Sequence, residues 1–274
     1  VQRGGPSTGL PTKAEQSDLL QCLYGRSGES PMPVIAATSP TNCFDAAFMA
    51  CKIALEHMTP VILLTDAFIA NGSAAWKLPD LKDYPCIKPP YATPEMKGKY
   101  TPFYRNPETM VRYWATPGME GYEHRIGGLE KDGKTGAIST DPTNHNEMVA
   151  NRAEKIARIA VPDLEVEGDE DADLLVVGFG GTYGHLYSAV SAMREAGKKV
   201  ALAQFEFINP LPKNTEAVLK RFKKVVVAEQ NLGQFAGYLR MKVPGLMVNQ
   251  FNEVKGQPFI IQELVDAFTK LMEE

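Results

Sequence analysis

An arginine followed by a glycine-rich turn is the segment of this sequence best suited to bind an anion. Arg3 is followed by three glycines within six residues, and the small hydroxyl residues Ser7 and Thr8 lie among them. A guanidinium binds a carboxylate or phosphate through two parallel hydrogen bonds, and glycine lets the backbone approach a ligand closely. The segment therefore predicts an anion site. The alternative is an ordinary surface turn without a binding role, in which Arg3 forms an ion pair with a nearby acidic residue.

A second glycine-rich segment, residues 178–184 (GFGGTYG), follows an apolar run and invites comparison with dinucleotide-binding turns. In that interpretation Glu206, near the end of the next predicted strand, would bind a ribose. The spacing does not fit, because the third glycine of the fingerprint would fall on Tyr183. A tight strand-to-helix turn is the favoured interpretation, and nicotinamide binding is the alternative.

Polar residues in two further segments are candidates for a site or an interface. His124 and Arg125 precede a glycine pair in an aromatic-rich stretch, and we leave both roles open for them. Glu229 and Asn231 follow an apolar run, where hydrogen bonding between domains is favoured over catalysis. The histidines form no i, i+4 pair, which argues against a metal site, and motifs of serine hydrolases and nucleotide triphosphatases are absent.

Length, charge and cysteine content exclude several classes of protein. The chain has 274 residues, which is enough for a sizeable core and favours two domains. Its 29 Lys and Arg against 33 Asp and Glu give a net charge of -4, so nucleic acid is not an expected partner. Four cysteines, none in a CxxC pair, indicate neither a disulfide framework nor a cluster site and favour a reducing cytosol. No apolar run approaches the roughly 20 residues of a membrane-spanning helix.

The first half of the sequence alternates short apolar runs with amphipathic stretches, which predicts an α/β domain with a parallel sheet. The predicted helices are 13–24, 39–57 and 144–160, and the predicted strands are 32–37 and 60–65. Residues 66–143 lose this periodicity but are dense in aromatic residues, Pro and Gly. We expect this stretch to be an ordered irregular segment with a functional or interfacial role.

The acidic segment 162–173 predicts a linker, with the domain boundary near Gly168. A second α/β domain of Rossmann type is predicted to follow it. Its predicted strands are 174–177, 199–205, 225–228 and 246–249. One predicted helix follows the first strand and ends near 196, and two others span 233–242 and 260–272. Both halves of the chain therefore belong to the α/β class.

Eight short segments carry a resemblance to a known enzyme family. They are residues 1–12 (VQRGGPSTGLPT), 15–19 (EQSDL), 69–72 (IANG), 117–118 (PG), 123–130 (EHRIGGLE), 181–184 (GTYG), 209–212 (NPLP) and 229–234 (EQNLGQ). Together they resemble the alpha subunit of 2-oxoacid:ferredoxin oxidoreductases, most of all the 2-oxoglutarate type. The segments span nearly the whole chain, so the likeness is not confined to one motif.

The resemblance implies a fold, a reaction and a set of cofactors. Residues 1–167 would be the remainder of a pyrimidine-type thiamine-enzyme domain containing the long aromatic-rich loop 66–143, and residues 168–274 a transketolase C-terminal-like domain. The reaction would be oxidative decarboxylation of a 2-oxoacid with coenzyme A, giving succinyl-CoA and CO2 from 2-oxoglutarate and reducing ferredoxin. Thiamine diphosphate, magnesium and the iron-sulfur cluster would be bound mainly by a beta subunit, since this sequence has no Gly-Asp-Gly motif and no cysteine cluster.

By the same resemblance, Arg3 binds the substrate carboxylate, Ser7 and Thr8 line the same turn, and no catalytic residue or metal ligand is expected in this chain. The family's substrate-facing threonine and cofactor-assisting glutamate would precede Val1, with a gamma-type domain ahead of them. We therefore expect no activity without the beta subunit. The alternatives are a subunit acting on pyruvate or branched-chain 2-oxoacids, a nicotinamide-dependent oxidoreductase, and an assembly subunit without a catalytic role.

Overall fold

The computed structural model describes residues 1–274, and its strands and helices lie on either side of a long irregular segment, residues 72–141. The helices are α1 (Leu19–Tyr24), α2 (Cys43–Glu56), α3 (Ala67–Asn71), α4 (Pro142–Ala157), α5 (Tyr183–Glu195), α6 (Thr215–Arg221), α7 (Gln234–Lys242) and α8 (Ile261–Glu273). The strands are β1 (Val34–Ala36), β2 (Ile62–Leu64), β3 (Leu174–Phe179), β4 (Val200–Phe205), β5 (Phe207–Asn209), β6 (Lys224–Glu229) and β7 (Asn249–Asn252). None of the helices is long and apolar enough to cross a membrane.

The first sheet has the strand order β2-β1-β5. β1 and β2 are parallel and are connected through α2, whereas β5 comes from the second half of the chain and pairs antiparallel with β1. The buried face of this sheet packs against α2 and α4 through aliphatic side chains such as Ala46, Ile53 and Ile156. Removing this apolar surface from water is the main term that stabilises the layer.

The second sheet is fully parallel, with the strand order β4-β3-β6-β7. Every residue of β3 is buried, and alternate residues face opposite sides. Leu174 and Val176 pack towards α5 and α8, while Leu175 and Val177 pack towards α6 and α7. Helices on both faces explain why the central strands are continuously apolar rather than alternating.

The predicted α/β class is confirmed, and so is each strand predicted after residue 170 except the last, where β7 begins three residues later than the start of the apolar run. Three elements were not predicted: α3, α6 and β5. They are seven residues or fewer, and short elements carry too little periodic signal to be read from a single sequence. The predicted extent of α2 and α4 is wrong by a few residues at each end, where helices commonly fray.

The prediction of a helix over residues 13–24 is wrong at its beginning, because α1 starts only at Leu19. The Thr12 side chain does not cap a helix, since its hydroxyl donates to the Pro11 carbonyl and its φ is 61°. Residues 13–16 instead have no regular secondary structure and residues 17 and 18 form a turn, and the Gln16 backbone N–H donates to the Gln230 carbonyl at 2.9 Å. Pairing with the second sheet replaces the first turns of the predicted helix.

The aromatic-rich segment 72–141 is irregular, as predicted, with two short 3-10 turns and three isolated β-bridges. It lies along α2: the Tyr84 ring packs edge-on against Phe48 at 4.8 Å between centroids, and the Lys88 N–H donates to Glu56 at 2.9 Å. The Trp114 indole N–H donates to the Leu55 carbonyl at 3.2 Å. Aromatic contacts and hydrogen bonds to one helix therefore order a segment that has almost no secondary structure.

Three cations meet where this segment reaches α4. Arg105 and Arg112 face each other across a one-residue antiparallel bridge. The Lys155 ammonium lies close to both and donates to the Met58 carbonyl at 2.9 Å. Burial, followed by the repulsion of the two guanidinium groups, lowers the pKa of Lys155 from 10.5 to about 8.

The lowered pKa of Lys155 predicts a pH-dependent stability. Between pH 8 and 10.5 the unfolded chain binds a proton that the folded chain does not, so the free energy of unfolding should rise with pH in that window. The expected gain over the whole window is ~3 kcal/mol. Urea unfolding at several pH values should show this rise in the native chain and a flatter profile in Lys155→Met, with the exposed Lys77→Met as control. An unchanged slope in Lys155→Met would contradict the assignment.

Candidate functional site

The backbone beneath Arg3 extends the first sheet at the carboxyl end of β2. The Gln2 N–H donates to the Thr65 carbonyl at 2.6 Å, and the Ala67 N–H donates to the Gln2 carbonyl at 2.9 Å. Gln2 is buried, whereas the next residue, Arg3, is exposed. The guanidinium therefore emerges at the edge where parallel α/β sheets bind ligands.

The Arg3 side chain is held by its own loop. Its Nη1 donates to the Thr8 carbonyl, so the guanidinium lies against the turn. The alternative interpretation required Arg3 to lie against a nearby acidic residue instead. The turn is closed by the Leu10 N–H, which donates to the Gly4 carbonyl at 2.9 Å. Gly9 has a φ of +45°, and a Cβ there would lie 2.2 Å from that same carbonyl oxygen, so no other residue fits.

Ser7 and Thr8 lie on the exposed rim of this loop, and Ser7 has a φ of 54°. A left-handed residue other than glycine is uncommon and is retained where the surrounding structure fixes it. The structure thus brings Arg3, Ser7 and Thr8 together on one exposed surface. A ligand there would meet a guanidinium and two small hydroxyl residues.

A polar crevice runs along the adjoining strand ends. It is a cavity of about 270 Å³ lined in part by Gln204 and Glu206. Asn42, which follows β1, donates to Glu206 at 3.4 Å. Burial raises the pKa of Glu206, and Asp45 raises it further. The sequence singled out Glu206 only as a ribose ligand, whereas the structure places it between the two sheets.

Asp66 was not recognised from the sequence, yet it lies at the centre of these strand ends. It is 2% exposed and begins α3, where its Oδ1 accepts from the Ile69 N–H at 2.9 Å. Burial raises the pKa of Asp66, and the N–H groups of Ile69 and Gly181 oppose that shift. A short Asp-Ala-Phe stretch after a strand was the only sequence signal, and many surface turns share it.

The glycine turn after β3 faces Asp66 rather than open solvent. A Cβ on Gly181 would lie 2.1 Å from Asp66 Oδ2, so the carboxylate fills the space at the beginning of α5. A dinucleotide pyrophosphate would need that same space at the helix N-terminus. The favoured interpretation, a tight packing turn, therefore agrees with this geometry, and the nicotinamide alternative does not.

Gln16 fills the crevice between β3 and β6, the point at which the chain switches direction across the second sheet. Its Nε2 donates to the Phe179 carbonyl at 2.8 Å, and its Oε1 accepts from the Gln230 N–H at 3.0 Å. Gln16 is completely buried. Ligands of doubly wound folds usually bind at this switch point, but here the chain's own side chain occupies it.

Glu229 and Asn231 are buried and hold neighbouring backbone. Glu229 accepts from the Phe235 N–H at 2.7 Å and the Ala236 N–H at 3.0 Å, which caps α7, and burial raises its pKa. Asn231 donates to the Gln16 carbonyl at 3.0 Å. With 0% and 1% of their surfaces exposed, neither side chain reaches a ligand from solvent.

His124 and Arg125 lie in the aromatic-rich segment and not beside Arg3. The His124 Nδ1 is 2.8 Å from the Tyr122 carbonyl, and its ring packs edge-on against Tyr100 at 5.4 Å between centroids. His124 lines a surface groove of about 520 Å³, and Arg125 is exposed. No hydrogen bond or ion pair connects this groove to the Arg3 loop, so the structure does not join the two sets of candidates.

Comparison with known proteins identifies the family. Residues 1–140, just over half of the chain, match the thiamine-diphosphate-binding domain of pyruvate flavodoxin/ferredoxin oxidoreductases. The chain belongs to this oxidoreductase family. Residues 172–264 also match core domain II of pyruvate:ferredoxin oxidoreductase. The resemblance drawn from the sequence is thereby confirmed.

Two individual relatives agree with this family assignment. The chain is 50% identical over 265 residues to the 2-oxoglutarate oxidoreductase subunit KorA of Mycobacterium tuberculosis, covering 96% of this chain and 40% of that protein. It is 34% identical to a 2-oxoacid:ferredoxin oxidoreductase alpha subunit of Aeropyrum pernix, covering 97% of this chain and 42% of that subunit. The chain thus spans about two fifths of the length of these relatives.

A solved structure of the family shares the fold over nearly the whole chain. It is the 2-oxoglutarate:ferredoxin oxidoreductase of Magnetococcus marinus with 2-oxoglutarate, coenzyme A and succinyl-CoA bound. The two are 29% identical with a TM-score of 0.89, covering 99% of this chain and 48% of that one. The α/β architecture is therefore that of a 2-oxoacid oxidoreductase.

The residues present do not fit the metal-bound diphosphate of thiamine diphosphate. No three His, Cys, Asp or Glu side chains converge to hold a metal ion. The one glycine turn that leads into a long helix is closed by the Asp66 carboxylate, which would repel a diphosphate. Binding of that part of the cofactor by another subunit stays a prediction.

Proposed function

We propose that this chain supplies the substrate-binding part of the alpha subunit of a 2-oxoglutarate:ferredoxin oxidoreductase. The complete enzyme would convert 2-oxoglutarate and coenzyme A to succinyl-CoA and CO2 and pass two electrons to ferredoxin. The observation that carries this proposal is the exposed guanidinium of Arg3 at the carboxyl edge of the first sheet. The KorA relative and the Magnetococcus marinus structure, both named for 2-oxoglutarate, support the choice of substrate.

Arg3 would bind the 1-carboxylate of the 2-oxoacid and fix it relative to the reacting carbonyl. Decarboxylation requires the breaking bond to be held in one orientation, and such positioning can supply several kcal/mol of the rate enhancement. The Thr8 carbonyl accepts from one arm of the guanidinium and so aims the other arm at the substrate. Ser7 and Thr8 complete the rim of the same loop.

A beta subunit would complete the site and hold most of the cofactors. Thiamine diphosphate, with its magnesium ion, supplies the nucleophile and electron sink for the 2-oxoacid, and an iron-sulfur cluster carries the electrons. This division of labour is supported by the lack of a metal-binding group among the residues of this chain. A cytoplasmic location is supported by its four free cysteines, Cys22, Cys43, Cys51 and Cys86.

The proposed function is tested by assaying the full-length alpha chain assembled with its beta subunit. Reduction of a viologen dye should require both 2-oxoglutarate and coenzyme A, and succinyl-CoA should form in proportion. Pyruvate and branched-chain 2-oxoacids serve as the competing substrates, and the alpha chain alone should reduce no dye. Preference for pyruvate or a branched-chain acid would assign the chain to those related enzymes. No turnover with any 2-oxoacid would refute an enzymatic role and favour an assembly subunit.

A further inference from the structure

Asp66 lies directly beneath the Arg3 loop. The residues on either side of it, Thr65 and Ala67, form the two backbone hydrogen bonds that hold Gln2 in place. The Asp66 carboxylate in turn accepts from the Ile69 N–H at 2.9 Å and fixes the turn into α3. The backbone from which Arg3 emerges is therefore anchored on both sides of one buried carboxylate.

The same carboxylate touches the second sheet. Its Oδ2 lies against Gly181 so closely that even a Cβ there would overlap it, at 2.1 Å. Two residues further along the chain from Asp66, the Phe68 ring packs against His185 of α5 at 4.7 Å between centroids. Asp66 and Phe68 thus join the carboxyl edge of the first sheet to the beginning of α5.

We propose that Asp66 is a positioning residue, which couples the placement of the glycine turn after β3 to the orientation of the substrate-binding Arg3. This inference rests on the proposed function of Arg3. A shift of the turn at Gly181 would displace the carboxylate, then the backbone at Thr65 and Ala67, and finally Gln2 and Arg3. The turn is then a structural support for the substrate site and not a nucleotide-binding loop.

Gly181→Ala and Asp66→Asn perturb this contact from opposite sides. In the assembled enzyme each should raise the KM for 2-oxoglutarate ~10-fold while changing kcat less than about threefold, because misplacing a binding group weakens substrate binding. Gly184→Ala is the matched control, since Gly184 lies three residues further on, in the first turn of α5, with no atom within 4 Å of its added Cβ. Val190→Ala, which removes buried volume from α5, controls for simple loss of stability.

Combination with Arg3→Lys separates this proposal from the proposed function. If Arg3 binds substrate and Asp66 positions it, the effects of Gly181→Ala and Arg3→Lys on KM should be less than multiplicative. Multiplicative effects, or a normal KM in Gly181→Ala, would overturn the positioning role while leaving Arg3 as a ligand. A normal kcat/KM in Arg3→Lys alone would refute the proposed function. If Val190→Ala raises KM as much as Gly181→Ala, the effect is general destabilisation and the proposal fails.

Discussion

Replacing Arg3 with lysine should lower kcat/KM of the assembled enzyme for 2-oxoglutarate about a hundredfold, because an ammonium cannot reproduce the planar fork that holds a carboxylate. In the native chain one arm of the guanidinium donates to the Thr8 carbonyl, which leaves the other free for substrate. A lysine ammonium at this position would bind either the Thr8 carbonyl or the substrate carboxylate. Steady-state kinetics with dye reduction measure the effect directly.

Arg194→Lys is a suitable control for the Arg3 substitution. Arg194 is also exposed but lies in the last turn of α5. Its replacement should leave kcat/KM unchanged. Since Arg3 is exposed and makes only one hydrogen bond to its own loop, we expect Arg3→Lys to fold normally. Equal kinetics of Arg3→Lys and the native enzyme would remove the main support for substrate binding by this chain.

Replacing Gln16 with leucine should lower the free energy of unfolding by ~2 kcal/mol, since the buried Gln230 N–H would lose its partner and the Phe179 carbonyl would keep only the Thr182 hydroxyl. The Phe179 carbonyl and the Gln230 N–H both bond to the Gln16 amide, and leucine can satisfy neither. The loss should fall on the contact between the segment before α1 and the ends of β3 and β6 in the second sheet. Chemical denaturation followed by circular dichroism gives the magnitude.

Gln21→Leu provides the matched control for Gln16→Leu. It makes the same chemical change only five residues away, on the exposed side of α1. We expect it to change the free energy of unfolding by less than ~0.5 kcal/mol. If the two variants have the same stability, the hydrogen bonds of Gln16 are not what holds its segment against the second sheet.

The second sheet was largely predictable from the sequence, and the reason is its burial. β3 and β6 are covered on both faces, so they appear as uninterrupted apolar runs, and α8 has a clear apolar stripe that buries Leu264 and Phe268. β5 was not predicted, because its pairing with β1 depends on residues more than 170 positions apart. Local periodicity carries no information about such a partner.

The residues of the candidate site also differ in whether the sequence alone could identify them. Arg3 could be identified because its chemistry and its glycine-rich surroundings are contiguous in the sequence. Asp66 and Gln16 could not, since each acquires its role only through contact with a distant turn of the second sheet. The helix predicted from residue 13 is a further example. A plausible local capping pattern does not form a helix there, because tertiary hydrogen bonds hold these residues in another conformation.

The crossing of β5 into the first sheet has a consequence for how this protein could be divided or recombined. A piece beginning at residue 168 would carry β5 away from β1, exposing a strand edge on one product and an unpaired strand on the other. Cleavage within the acidic segment 162–173 should therefore give two fragments that aggregate when expressed separately, and co-expression should let them reassemble.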